Sequence, residues 1–228
     1  MAVSPTDPAI PTPDSSETPP GATLNPSPEA IAFCQALASI HQQGWTQGTG
    51  GNFSYLATRH PLLLVMAPSG VDKGRVDPQC LIGVNEHQQV VWGKGKSSAE
   101  TALHLCIAQR TQARAIFHTH SLFATLVSDH FSSQGYVTLG SYEMLKGLAG
   151  ITTHDCHVQI PIFANSQDMQ ELSQKVGAWL ETAQPAYGFL LAGHGLYTWG
   201  DSIFSAQRHL EILEFLFELT YRKLLIQP

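Results

Sequence analysis

The stretch NFSYLATRHPLLLVMAPSGVDKGRVDPQCLIGVNEHQQVVW, residues 52–92, holds four short apolar runs separated by Gly, Pro, Asn and Asp. The runs are residues 53–56, 62–67, 81–84 and 90–92. Short apolar runs broken by turn-forming residues are typical of strands joined by hairpins. We therefore predict that a sheet begins here and that its first strands are antiparallel.

Predicted strands and helices alternate after this stretch. Strands are predicted over residues 115–120, 158–163 and 187–192, and a long helix over residues 201–226. The spacing of Ser97 and Glu100 predicts a capping box at the start of another helix, and Asn165-Ser166 can cap a further one. For a chain of 228 residues we predict a single α/β domain with a central, mostly antiparallel sheet covered by helices.

The first 28 residues differ in composition from the rest of the chain. They contain eight of the 14 prolines and neither lysine nor arginine. This composition is typical of disorder, and it lacks the basic start and apolar stretch of a secretory signal. Ser27, Pro28 and Glu29 then form a typical helix start. We predict a disordered tail over residues 1–27, a folded domain over residues 28–228 and a cytoplasmic location.

The overall composition argues against two classes of partner. The formal net charge is −6, whereas binding to nucleic acid requires clustered Lys and Arg. No apolar run approaches the roughly 20 residues that span a bilayer. The four cysteines form no CxxC pair, which favours reduced thiols over disulfides. We therefore expect neither nucleic acid nor a membrane as a partner.

Two histidines, His118 and His120, lie at the end of the predicted strand over residues 115–120. Residues two apart on a strand point to the same face, so the two imidazoles can bind one metal ion. A solvated pair of histidines is the alternative that these residues alone leave open.

His194 is a third candidate ligand, because it follows the predicted strand over residues 187–192 and has glycine on both sides. Glycine permits a close approach of backbone to a ligand shell, although a simple turn is the alternative. Three neutral imidazoles leave a divalent cation its full charge and an open position, which favours catalysis. A second group of His and Cys, at residues 154–157, lies in a polar loop and is the weaker candidate.

Three clusters of small residues are candidates for binding an anion. They are residues 48–52, residues 68–70 and the pair Ser97-Ser98. Each offers hydroxyl or backbone N–H groups at a turn or helix start, and such groups hold phosphate without a lysine. Any one of them alone is typical of an ordinary turn, so the prediction depends on all three together.

Two carboxylates compete for a role in proton transfer. Glu100 has an alternative role in the predicted capping box. Glu143 lies three residues before Lys146, a spacing that is also typical of an ion pair on a helix surface. The hydrophobic periodicity does not choose between the two.

Five of these motifs, in their order along the chain, resemble the class II aldolase/adducin family. They are GGNFS at residues 50–54, PSG at 68–70, SSAE at 97–100, HTH at 118–120 and GHG at 193–195. The likeness covers about residues 28–228. It implies an α/β fold with a central antiparallel sheet, and usually a tetramer whose active sites lie near subunit boundaries.

The resemblance also implies a role for each candidate residue. The expected ligands of one zinc ion per subunit are His118, His120 and His194. The substrate phosphate is expected at Asn52, Ser69, Gly70, Ser97 and Ser98. Glu143 matches the acid/base residue of dehydratases in this family, and Glu100 matches the base of the aldolases.

Residues 68–73, 142–147 and 194–200 look most like the members that dehydrate 5-methylthioribulose 1-phosphate to 2,3-diketo-5-methylthiopentyl 1-phosphate in methionine salvage. The resemblance thus implies a zinc-dependent lyase acting on a small sugar phosphate. Two alternatives stay open: a sugar-phosphate aldolase or epimerase with Glu100 as its base, and a non-catalytic module of the adducin type.

Overall fold

The computed structural model describes residues 26–183 and 185–226, so residues 1–25 of the predicted tail lie outside the described residues. The helices are α1 (Pro28–Gln42), α2 (Thr101–Arg110), α3 (Leu122–His130), α4 (Met169–Thr182) and α5 (Ile203–Ile226). The strands are β1 (Asn52–Arg59), β2 (Leu62–Met66), β3 (Ile82–Asn85), β4 (Val90–Trp92), β5 (Ala115–Thr119), β6 (Tyr136–Gly140), β7 (His157–Phe163), β8 (Gly188–Leu191) and β9 (Gly195–Gly200).

All nine strands form one sheet with the order β4-β3-β2-β1-β5-β9-β8-β7-β6. Every neighbouring pair is antiparallel except β7 and β8, which are parallel. The first four strands are consecutive neighbours, as the apolar runs of residues 52–92 predict. The predicted α/β fold with a mostly antiparallel sheet is therefore confirmed.

Helices cover both faces of the sheet. Apolar side chains of α1, α3 and α5 form one core with the sheet, and those of α2 and α4 form a second core on the other face. Helix α5 supplies Leu210, Leu213, Leu216 and Phe217, none of which is exposed. Their spacing of three and four residues puts them on one stripe of the helix. No helix in the described part of the chain is long and apolar enough to cross a membrane.

The predicted start of α1 is confirmed, because Ser27 Oγ accepts a hydrogen bond of 3.1 Å from the backbone N–H of Ala30. The predicted capping box of α2 is wrong. The side chain of Glu100 makes no capping hydrogen bond, and Ser98 Oγ accepts from the Glu100 N–H at 3.1 Å. Glu100 instead points away from its helix, where Asn52 Nδ2 donates to its Oε2 at 2.6 Å.

Two further expectations need correction. Helix α4 is capped by Asp168, which accepts from the Glu171 N–H at 2.9 Å, and not by Asn165-Ser166. The Asn165 side chain lies against His194 instead, with 3.3 Å between its Oδ1 and His194 Nδ1. Strands β6 and β9 were not predicted, because glycines at their ends resemble turns.

A matched pair of substitutions in α5 tests the position of the core. Leu213 is fully buried and Leu225 is 65% exposed, although both are leucines of the same helix. We expect Leu213→Ala to lower the free energy of unfolding by about 2–5 kcal/mol, and Leu225→Ala to lower it by less than about 1 kcal/mol. Denaturation with urea measures both values. Equal losses would contradict the placement of α5 against the sheet.

Candidate metal centre

Three histidines from two separate parts of the chain meet at one end of the sheet. Strand β5 pairs with β9, so that His118 lies opposite Tyr197, and His120 follows directly after β5. His194 lies in the three-residue loop between β8 and β9. The Nε2 atoms of His118 and His120 are 2.9 Å apart, those of His120 and His194 2.9 Å, and those of His118 and His194 3.3 Å. We call these three side chains the imidazole cluster.

Glycines allow the surrounding loops to pack closely against the cluster. Gly51 has a φ of +75°, and a Cβ at this position would lie 2.6 Å from the carbonyl oxygen of His118. A Cβ on Gly50 would lie 2.9 Å from Nδ1 of His120. A larger residue at either position would therefore push the loop away from the cluster.

The hydrogen bonds of the cluster determine which ring nitrogens carry protons. Nδ1 of His118 lies 2.9 Å from the carbonyl oxygen of Leu196, which can only accept, so Nδ1 is the protonated nitrogen. Nδ1 of His194 faces the Asn165 Oδ1 in the same way. In the neutral rings, Nε2 of both histidines therefore carries a lone pair, and the two lone pairs face each other across 3.3 Å.

This arrangement fits a divalent cation. Facing lone pairs repel one another, and a cation between them turns the repulsion into two coordinate bonds. Nitrogen ligands at about 2.0–2.1 Å from a tetrahedral zinc ion are about 3.3 Å from each other. The Nε2 atoms of His118 and His194 have this separation, and the other two pairs are closer, at 2.9 Å. The carbonyl of Leu196 and the amide of Asn165 fix the ring orientations, as groups behind a metal-bound histidine commonly do.

Burial keeps His118 and His120 neutral. The pKa of His118 is lowered well below its ordinary value, first by desolvation and then by the neighbouring His120 and His194. Desolvation and His194 also lower the pKa of His120. Neutral imidazole is the form that binds metal ions, so these shifts favour metal binding over protonation.

Glu100 is the fourth member of the site. Its Oε2 lies 3.4 Å from Nε2 of His118, and its Oε1 lies 3.6 Å from Nε2 of His194. Within the residues that the structure describes, Glu100 and the imidazole cluster form the one group of three or more metal-ligating side chains whose ligand atoms lie within 4.8 Å of one another. The weaker candidates at residues 154–157 form no such group.

The three small-residue clusters lie next to one another in space. The backbone N–H of Ser69 donates to the carbonyl of Lys96 at 2.8 Å, which ties residues 68–70 to Ser97-Ser98. The hydrogen bond from Asn52 to Glu100 ties residues 48–52 to the same segment. These two contacts link the three small-residue clusters to one another and, through Glu100, to the imidazole cluster.

A lysine that the sequence analysis did not single out lies beneath these clusters. Lys73 is 2% exposed, and its Nζ donates to the carbonyls of Thr49 at 3.1 Å and Val71 at 3.0 Å. No carboxylate among the described residues lies within 4 Å of this ammonium group. Buried lysines normally have a counter-charge, so Lys73 supplies positive charge where the clusters would hold an anion.

Glu143 does not join the site in its own chain. It lies three residues after Gly140, which pairs with His157 at the start of β7, whereas Asn165 beside His194 lies just beyond the end of β7. The strand between these points is about 20 Å long at 3.3 Å per residue. The Glu143 side chain is 70% exposed and pairs with Lys146 at 2.5 Å.

The protonation of Glu143 also differs from the expectation for a buried acid. The hydrogen bond from Lys146 lowers the pKa of Glu143 from its ordinary value. The segment Glu143–Gly147 forms a 3-10 helix, which agrees with the helical spacing of Glu143 and Lys146. In a single chain this carboxyl is therefore an ionised surface group, and the sequence-based prediction of a catalytic Glu143 stays a prediction.

The comparison with known families agrees with this geometry. Residues 31–221 match the family described as class II aldolase and adducin N-terminal domain. The chain belongs to this family. The match includes every residue of the imidazole cluster, together with Glu100 and the three small-residue clusters.

Curated relatives in the class II aldolase family cover most of the chain. A protein of Sorangium cellulosum named methylthioribulose-1-phosphate dehydratase is 41% identical over 192 residues, which are 83% of this chain and 87% of that protein. A protein of the same name from a Picosynechococcus strain is 39% identical over 199 residues, which are 86% and 92% of the two chains.

Solved structures share the fold at lower identity. An L-fuculose 1-phosphate aldolase superimposes with a TM-score of 0.72 and 21% identity, covering 91% of this chain and 92% of that chain. At this level of identity the likeness supports the class II aldolase fold alone.

A buried acid braces the strand that carries two of the histidines. Glu214 of α5 is 2% exposed and accepts hydrogen bonds from the hydroxyls of Thr119, at 2.9 Å, and Ser121. Thr119 and Ser121 are the neighbours of His120 on either side. Desolvation raises the pKa of Glu214 from 4.5 to about 7. The sequence analysis did not single out Glu214, because it lies among apolar residues of a long helix.

The raised pKa of Glu214 predicts a pH dependence of stability. The folded chain holds this proton up to about pH 7, while the unfolded chain releases it near pH 4.5, so stability falls as the pH rises between these values. The contribution is about 3 kcal/mol, because one pKa unit corresponds to about 1.4 kcal/mol. Glu214→Gln removes it.

Unfolding of both proteins between pH 4.5 and 8 checks this expectation. The wild-type protein should lose stability relative to Glu214→Gln as the pH rises, and other titrating groups cancel in the difference. A difference that stays constant over this range would show that Glu214 is ionised in the folded protein.

Proposed function

We propose that this protein is a zinc-dependent lyase that dehydrates 5-methylthioribulose 1-phosphate to 2,3-diketo-5-methylthiopentyl 1-phosphate in methionine salvage. The convergence of three imidazole lone pairs beside Glu100 carries the proposal, because it provides a metal centre with a carboxylate at its edge. The two relatives at about 40% identity that bear the name of this dehydratase support the choice of substrate. We infer zinc from the three nitrogen ligands.

The proposed reaction breaks a C–H bond at C3 and a C–O bond at C4 of the substrate, forms a C3=C4 double bond and releases water. The resulting C3 enol then tautomerises, with a proton added at C4 and the hydroxyl proton lost, to give the 2,3-diketone. His118, His120 and His194 would hold the zinc ion, which supplies Lewis-acid polarisation of substrate oxygens when it is bound. Glu100 lies at the edge of this site and can accept the C3 proton, because its carboxylate oxygens lie within 4 Å of two of the histidines. The small-residue clusters and Lys73 would hold the phosphate and so fix the reacting carbons beside Glu100.

We propose that Glu143 of a neighbouring subunit acts in its protonated form and supplies the proton to the departing C4 hydroxyl. This role requires that burial at the subunit boundary, away from Lys146, raise the pKa that Lys146 lowers in the single chain. Its own chain places it at the opposite end of β7 from the imidazole cluster, and its side chain is largely exposed there. An exposed carboxylate with an adjacent lysine is available to a second copy of the chain. The tetramer implied by the family resemblance, with active sites near subunit boundaries, would allow this contact.

A substrate assay tests the proposed reaction. Incubation of the zinc-loaded protein with 5-methylthioribulose 1-phosphate should yield the diketone, and removal of zinc by a chelator should abolish turnover. Incubation with a deoxyketose 1-phosphate is the control, because retro-aldol cleavage would release an aldehyde. The position of Glu100 favours an aldolase as the second candidate, since Glu100 lies in the site and Glu143 of the same chain does not. Release of an aldehyde without diketone would support the aldolase.

A complementation experiment tests the role of Glu143 from a neighbouring subunit. We expect Glu143→Gln and His194→Ala each to abolish turnover. Mixed oligomers that contain both variants should regain about one quarter of wild-type activity, because random mixing places an intact imidazole cluster beside an intact Glu143 at one site in four.

The control is a mixture of His118→Ala with His194→Ala, in which no subunit has an intact imidazole cluster. It should remain inactive. If the mixture of Glu143→Gln and His194→Ala also remained inactive, or if Glu143→Gln alone retained full turnover, Glu143 would not act across the boundary.

A further inference from the structure

A hydrogen-bonded series of four polar side chains connects strand β1 and helix α2 to Glu100. Ser54 Oγ lies 2.7 Å from Nδ1 of His104, and Nε2 of His104 lies 2.5 Å from Oδ1 of Asn52. Asn52 Nδ2 then lies 2.6 Å from Oε2 of Glu100. Ser54 and His104 have no exposed surface, and Asn52 is 7% exposed. His104 is part of helix α2, and no motif in the sequence marks it as a site residue.

The Glu100 carboxylate at one end of this series determines the direction of every hydrogen bond in it. The Glu100 carboxylate can only accept, so it must face the amide nitrogen of Asn52. The Asn52 oxygen therefore faces His104 and needs a donor, which makes Nε2 the protonated nitrogen of the imidazole. Nδ1 of His104 must then accept, and the Ser54 hydroxyl donates to it. No member can reverse without leaving two acceptors or two donors in contact.

Burial holds this pattern over a wide pH range. Desolvation lowers the pKa of His104 from 6.5 to about 3, so the ring stays neutral at physiological pH. The groups that face it are Ser54 and Asn52 of β1 and the ring of Tyr197 in β9, which packs edge-on with 5.9 Å between ring centroids. None of these neighbours carries a charge at neutral pH.

We propose that His104 is a positioning residue that sets the orientation of Glu100 through Asn52. This inference rests on the proposed function, in which Glu100 accepts a proton. Without the His104 donor, the Asn52 amide can turn over and present its oxygen to Glu100. Two oxygens in contact repel, and the carboxylate then turns away from the imidazole cluster. Asn52 keeps one amide proton for Glu100 and has a second one left for the substrate phosphate.

Two conservative substitutions of His104 test its hydrogen bonds to Asn52 and to Ser54 separately. The side-chain nitrogen of glutamine can take the place of Nε2, so His104→Gln keeps the donor to Asn52 and loses the acceptor for Ser54. The side-chain oxygen of asparagine can take the place of Nδ1, so His104→Asn keeps the acceptor for Ser54 and loses the donor to Asn52. Each variant breaks one buried hydrogen bond, and we expect similar losses of stability.

The two variants should differ in catalysis. We expect His104→Asn to lower kcat/KM by about 10- to 100-fold and His104→Gln by less than about 3-fold, because only the former releases the Asn52 amide. His87→Asn, at an exposed histidine, is the control for substitution as such. Equal losses of kcat/KM in the two His104 variants would overturn the proposal, since a merely structural histidine gives that result.

A second measurement does not depend on activity or on bound metal. Proton–nitrogen correlation spectra of the histidine rings report which nitrogen is protonated. We expect His104 in the metal-free protein to be neutral, with its proton on Nε2, from pH 5 to 9. A proton on Nδ1, or a charged ring in this range, would overturn the proposal. If the wild-type protein fails to dehydrate the substrate, the proposed function is wrong. The spectra still show the direction of the hydrogen bonds through His104 in that case.

Discussion

Facing lone pairs on His118 and His194 are the constraint on which the rest of this structure depends. Nδ1 of His118 donates to the Leu196 carbonyl, and Nδ1 of His194 faces the Asn165 side chain, so these contacts orient both rings. The remaining nitrogens are 3.3 Å apart. In the absence of a cation this contact is repulsive, so the packing around it has to be rigid. The pairing of β5 with β9 and the short loop between β8 and β9 supply that rigidity.

Several polar groups around the imidazole cluster are buried and form hydrogen bonds with residues far away in sequence. Glu214 of α5 braces Thr119 and Ser121, and Lys73 bonds the carbonyls of Thr49 and Val71. A buried polar group without a partner costs more than its hydrogen bond gains, so these contacts hold each loop in one position.

Glu100 and Glu143, the two carboxylates that the sequence offers for proton transfer, lie at opposite ends of the sheet. Glu100 lies at the end of the sheet that carries the imidazole cluster, and Glu143 lies at the opposite end of β7. On the proposed function, one chain therefore builds the metal centre and a second chain completes it. This arrangement would make catalysis depend on assembly of the oligomer, because neither carboxylate can take the place of the other.

Much of the fold could be predicted because it follows from local patterns. The apolar runs of residues 52–92 predict the first four strands, and Ser27 and Pro28 predict the start of α1, since strand alternation and helix caps involve residues close in sequence. The HTH and GHG motifs predict candidate ligands for the same reason. The capping box at Ser97 and Glu100 failed because a tertiary contact, with Asn52, competes for the glutamate side chain.

The sequence by itself determined the class of fold, the family and the histidines that could bind a metal, because these are expressed in the type and spacing of neighbouring residues. Only the tertiary structure decided which carboxylate lies beside the histidines, and which buried residues, Lys73, His104 and Glu214, support the site. Those outcomes depend on contacts between segments 24 to 95 residues apart. Such contacts are set by strand pairing and by the satisfaction of buried polar groups, and neither leaves a periodic signal in the chain.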